Sequence, residues 1–199
     1  MKNALLACVM FVAFNGLSYA GPLSFSNNST IATGPVRLDC HGANIHPVAT
    51  VKLNVNGMDQ GLPGLIYVGA ANLDQTDAQF FSNGWQEIGS GLFPIYAIIR
   101  SGLESVDVSI PLSTSLVGWS VYVGYGALSM ADEHKVEVRR QALDHAGTLN
   151  PKMRANQIPD DNLRATLIQM DMIKNTKYRF IYTPTFQDMH MCDEMNSYG

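Results

Sequence analysis

Charge is scarce in this chain, at 15% of 199 residues, and cysteine scarcer still, with three. After the first fourteen residues no apolar run approaches the roughly 20 needed to cross a bilayer as a helix, so no integral membrane segment is expected beyond the N-terminus. Neither a Gly-x-Ser-x-Gly elbow nor a His-Glu-x-x-His pair occurs, which leaves no local signature for a serine hydrolase or a zinc protease. A net charge of -4 with no concentrated basic patch argues against nucleic acid as a partner, because such proteins displace counterions from phosphates with clustered Lys and Arg.

What is present begins with Lys2, an apolar run from Ala4 to Phe14, and Ser18-Tyr19-Ala20 before Gly21-Pro22. One positive charge, a short hydrophobic core and small residues two apart are the parts of a cleaved secretory signal, so residues 1–20 are read as a signal peptide and the protein as exported, periplasmic or extracellular. Lys2 is the single charge in that segment, and its removal takes the net charge from -4 to -5. Cys8 leaves with the signal, and the remaining pair, Cys40 and Cys192, is expected to form one disulfide in an oxidising compartment.

Four regions follow. Residues 21–46 are rich in Asn, Ser, Thr and Gly and read as an irregular arm with one short strand near Val36 to Asp39. From Val48 the pattern takes a period of two, with Ala49, Val51, Leu53 and Val55 on one face and Thr50, Lys52 and Asn54 on the other, the mark of a half-buried strand. Runs at 65–70, 78–82, 85–88, 95–99, 106–110 and 117–125 continue it between Gly, Pro and Ser clusters, and Asn83-Gly84 predicts a type I′ hairpin turn. Short strands at this spacing predict a mainly β, immunoglobulin-like sandwich over residues 47–187.

A change of period and of charge marks 129–176 as a helical insertion before the last strand. Residues 129–180 hold nine basic and seven acidic side chains, against three and seven in residues 21–128. Ala131 to Ala146 forms a first helix closed by Gly147, and Asp160 or Asp161 caps a second in which Leu163, Leu167 and Met170 recur at helical spacing. Lys177 to Thr183 then alternates as a closing strand, and residues 188–199 form a Met/His/Cys tail. Within the β region, Ile66-Tyr67-Val68-Gly69-Ala70 is echoed by Val121-Tyr122-Val123-Gly124-Tyr125, and the glycines are read as bulges or points of close sheet approach.

The order Tyr67-Val68-Gly69-Ala70, Asn83-Gly84-Trp85, Pro94, Leu116-Val117-Gly118, Val121 to Gly126, Met130 and Tyr178-Arg179-Phe180-Ile181-Tyr182-Thr183 resembles a β-sandwich module of bacterial exported proteins, mostly uncharacterised. The resemblance covers about residues 48 to 183. It implies an accessory, binding or surface module without established catalytic residues, in which the helical segment is this chain's own addition.

Two clusters carry candidate chemistry. Met189, His190, Met191, Cys192 and Met195 are soft ligands of the kind that favour Cu(I), and His41 and His46 beside Cys40 would complete a site if the chain ends meet. Copper is thus the alternative cofactor, and a disulfide would consume both of its thiolates. Phe80, Phe81 and Trp85 flank the predicted hairpin, where they either fill the sandwich or offer an aromatic contact to a partner. His134 and His145 are eleven residues apart on a polar helix, too far to share a metal. The expectation is a non-enzymatic exported protein that binds a protein partner in adhesion or surface-structure assembly. An exported copper protein is the alternative, and a hydrolase the third reading, which requires a pocket holding a nucleophile beside a base.

Overall fold

A computed structural model describes residues 28–41, 46–88, 91–149 and 159–192. The residues read as a signal peptide, the beginning of the arm and Met195 lie outside the described residues. Two antiparallel sheets face one another, and one helix covers the outer face of the second sheet with a further helix packed against it. Among the described residues no helix is long and apolar enough to cross a membrane.

The first sheet is built around β3 (His46–Asn54). Strands β1 (Ala32–Thr33) and β2 (Arg37–His41) share one flank of β3, and β8 (Val106–Pro111) pairs along the other. The segment read as an irregular arm therefore contributes two strands, its Gly34-Pro35 step interrupting a single edge. The period of two in β3 sends Ala49, Val51 and Leu53 inward, where they meet Val108 and Ile110 from β8.

The second sheet runs β10 (Tyr178–Tyr182), β9 (Ser120–Ala127), β4 (Gly64–Ala71), β5 (Ala78–Phe81) and β6 (Trp85–Glu87), with β7 (Ala97–Ile99) sharing the far flank of β4. Its inner face presents Ile66, Val68, Val121, Val123 and Tyr125 to the first sheet. Every residue of β4 is buried because both of its faces are covered. Side chains such as Val68, fully enclosed, each stabilise the fold by roughly 1.5 to 3 kcal/mol.

The internal echo has a structural reason. The two stretches are neighbours in antiparallel register, with Tyr67 opposite Gly124 and Gly69 opposite Tyr122. Each tyrosine stands across from the other strand's glycine, so large and small alternate on the outer face. The glycines leave room for neighbouring backbone: a Cβ at Gly126 would collide with the carbonyl oxygen of Ile168, and one at Gly124 would meet the Lys177 carbonyl at 2.6 Å. The close approach at Gly126 is that of a helix and not of the facing sheet.

Helices α1 (Met130–Leu149) and α2 (Asp160–Lys174) lie between β9 and β10 in the chain. Ile168 and Met172 of α2 pack on Leu65, Tyr67, Phe80 and Phe93, a second core outside the sandwich. The expected stripe of Leu163, Leu167 and Met170 is thus rotated, and Met170 is exposed. The bare patch at Gly126 admits the helix backbone at Ile168, and that contact fixes which face turns inward. Gly147 does not end α1, which continues to Leu149. Helix α1 buries Val136 and is coupled to α2 by Arg164, whose guanidinium donates to both oxygens of Glu133 at 2.6 and 2.8 Å.

The hairpin between β5 and β6 also differs from its prediction. Phe81 pairs with Trp85, leaving the three residues Ser82 to Gly84 as the loop, closed by Ser82 N–H donating to the Gly84 carbonyl. Asn83 does not take the left-handed conformation that a type I′ turn requires.

Candidate functional site

Three segments converge at one end of the second sheet. Asp59 comes from the β3–β4 connection, Asp171 from the last turn of α2, and Lys177 from the position just before β10. Lys177 is aimed by the way α2 stops. Its N–H donates to the Met172 carbonyl and that of Thr176 to the Ile173 carbonyl, the paired bonds of a Schellman closure. Thr176 holds the left-handed position with φ 51°, where glycine is usual.

The side chain that follows is buried between two carboxylates. Lys177 Nζ donates to Asp59 at 2.9 Å and to Asp171 at 2.8 Å, and Lys177 and Asp59 are only 7% and 8% exposed. Tyr125 closes the group: its hydroxyl donates to Asp59 Oδ2 at 2.8 Å and accepts from Asn56 N–H at 2.9 Å, and Nζ lies 5.6 Å from its ring centre. Asp171 is held independently, accepting from Ala127 N–H on Oδ2 and from Asn175 Nδ2 on Oδ1. Burial disfavours the charged lysine, but the two carboxylates outweigh it and raise its pKa above the ordinary value. Burial, with Asp59 adding to it, also raises the Tyr125 phenol and keeps it a hydrogen-bond donor, against the bond from Asn56. Two carboxyl groups thus share one lysine, with Asp59 and Lys177 buried and Asp171 partly open to solvent.

Sequence reading missed this cluster. Asp59 and Lys177 are 118 residues apart, and each sits beside turn residues where a charge is usually solvated. The one signal was Asp59 following Asn56-Gly57, a turn between strongly apolar strands.

The residues singled out from sequence fall in several places. Cys40 and Cys192 form a disulfide with Cα atoms 5.6 Å apart. Cys40 is on β2, and Cys192 follows the short helix α3 (Phe186–His190), which a reciprocal Thr185–Asp188 capping box starts. Met189 of α3 packs against the main core, Met191 is half-buried and His190 is exposed. His41 and His46 form the last register pair of the β2–β3 hairpin. Among the described residues no group of three His, Cys, Asp or Glu side chains is placed to hold a metal ion.

The three aromatics of the hairpin separate by strand alternation. Phe80 is buried in the helix-side core, stacked on Phe93 at 4.4 Å between ring centres. Phe81 and Trp85 turn to the other side and close the flank of the sandwich with Tyr96. There Trp85 Nε1 donates to the Pro111 carbonyl at 3.1 Å, while the Tyr96 hydroxyl donates to the Ser109 carbonyl and accepts from Ser109 N–H. These bonds cover the outer edge of β8.

The edge of the second sheet at β10 is treated differently. Among the described residues strand β10 pairs only with β9, and its far side meets residues 30–31 through Thr30 N–H on the Thr176 carbonyl and Arg179 on the Ile31 carbonyl. Phe180 is 47% exposed there and packs edge-to-face on Tyr122 at 5.9 Å. A bulge after Phe180 turns both Ile181 and Tyr182 toward the main core, which breaks the alternation expected from sequence. No family model, no curated protein and no solved structure matches the chain.

Proposed function

We propose that this chain is an exported, non-enzymatic accessory protein of the bacterial envelope or cell surface that works by binding a protein partner. In this reading the sandwich is immunoglobulin-like, the helical pair is an insertion before the closing strand, and the resemblance to exported bacterial modules reflects a shared role in adhesion or surface assembly. The observation that carries it is the contrast between edges. Aromatic hydroxyl and indole groups cover β8, whereas β10 ends the second sheet with an exposed Phe180 packed on the half-buried Tyr122 of β9. Edge strands bind partners by adding a strand, and aromatic side chains are frequent anchors in such interfaces. The Cys40–Cys192 disulfide supports an oxidising compartment.

Nothing in the described residues favours the copper alternative, since both cysteines are spent in the disulfide and Met189 packs on the core. A photo-crosslinking residue placed at Phe180, in the protein exported by its own producing cells, tests the binding reading. A discrete protein adduct is expected from position 180 and not from Leu73, which is 82% exposed in the β4–β5 connection. Adducts at neither site, or equally at both, would overturn it.

A further inference from the structure

The geometry points to an internal amide between Lys177 Nζ and the side-chain carbonyl carbon of Asp59, made inside the folded protein with Asp171 as proton carrier. The amine and its electrophile are already in contact: Nζ lies 2.9 Å from the Asp59 carboxylate, and folding has done the work of bringing them together across 118 residues. A buried ammonium between two carboxylates is a costly arrangement, because ions taken out of water lose hydration that mutual attraction repays only in part. Joining two of the three groups as a neutral amide removes two of those charges.

The bonding pattern selects Asp59 as the group attacked. Both oxygens of Asp171 accept N–H donors besides Lys177, from Ala127 and Asn175, which hold it as an anion and make it a poor electrophile. Asp59 instead accepts the Tyr125 hydroxyl at 2.8 Å, a donor placed to support charge on its oxygen as the carbonyl becomes tetrahedral.

The step balances without a co-reactant. The ammonium passes one proton to Asp59, leaving a neutral amine beside a neutral acid. The nitrogen lone pair attacks the Asp59 carbonyl carbon, and Asp171, 2.8 Å from Nζ, takes a second proton from the nitrogen. Asp171 returns that proton to the departing hydroxyl. The C–N bond forms, a C–O bond breaks, one water leaves, the third proton stays on the amide, and Asp171 is again a carboxylate. The cluster carries the same net charge before and after, and nothing is oxidised or reduced.

Intact mass of the purified full-length export product tests this, under denaturing conditions with the disulfide reduced. A mass one water below that of the chain is expected, with tandem spectra joining the peptide that contains Asp59 to the one that contains Lys177. The full mass, or a water loss mapping to other residues, would overturn the inference. Asp59→Asn is expected to release ammonia in place of water and give the same link. Asp171→Asn is expected to keep its full mass, and a link formed in that variant would remove Asp171 from the reaction. The wild-type measurement decides the amide itself even if a variant fails to fold.

Discussion

Gly126 is the residue on which the packing of the third layer depends. It faces outward from β9, and the Ile168 carbonyl of α2 occupies the space that a side chain would take. Because that neighbour is helix backbone, it cannot rotate away as a flexible side chain would. Gly126→Ala is therefore expected to cost about 2 to 3 kcal/mol, the upper part of the usual range for overpacking. Gly57→Ala, with nothing within 4 Å of the added carbon, is expected to stay within about 0.5 kcal/mol. Urea denaturation of the two variants beside the wild type checks the contrast, and equal effects would show that α2 is free to shift. Thr176 makes the complementary point, since a left-handed turn usually announced by glycine is here made by threonine and so left no trace in the sequence.

At the scale of elements, legibility followed the number of faces a strand or helix must satisfy. Strand β3 buries one face, and its alternation from Ala49 to Val55 gave away both its existence and its inward side. Helix α2 was placed in the chain, but its buried face was misjudged by about one position, because the choice between Met170 and Met172 depends on a glycine in a different element. The junction between α1 and α2 is also a matter of two elements at once. Arg164 beside Glu133 holds that carboxyl below the usual glutamate range despite some burial. A carboxylate whose pKa is lowered on folding contributes fully above its ordinary value and loses that contribution as pH falls through the lower, folded value. Hydrogen exchange in α1 is expected to quicken as pH drops below about 4.5, after correction for intrinsic rates, and Glu133→Gln is expected to reduce this pH dependence without abolishing it, because Asp132 and Glu137 of the same helix are also held below their ordinary range by their partners. Both side chains are partly exposed, so the pair is worth at most about 1 kcal/mol.

For the whole molecule, the two-sheet architecture was legible from strand spacing and Asn-Gly punctuation, whereas the Lys177 cluster was not. Its members come from a loop, a helix and a strand, and only the finished fold makes them neighbours. The disulfide was legible for the opposite reason: with Cys8 of the three cysteines read as part of a signal peptide, the other two leave one pairing. It joins residues 152 apart, and loop-closure arguments put its contribution at about 5 kcal/mol at most. Cys40→Ser with Cys192→Ser is expected to lower the urea midpoint by a corresponding amount with a folded circular dichroism spectrum retained. An unchanged midpoint would mean that the sandwich and the capping box of α3 hold the C-terminal segment unaided.

That covalent tie also governs how the molecule bears load. A pull applied at the two chain ends enters at residue 40 and leaves at residue 192, through one sulfur–sulfur bond. The strands from β3 to β10 lie between those points and are bypassed, so tension would strip β1 and residues 37–39 of β2 from β3 and then stop at Cys40. Under traction the protein would behave as a short link, and a reductant would free only the segments outside Asp59 and Lys177, because the amide between them would still carry the load past the strands they enclose.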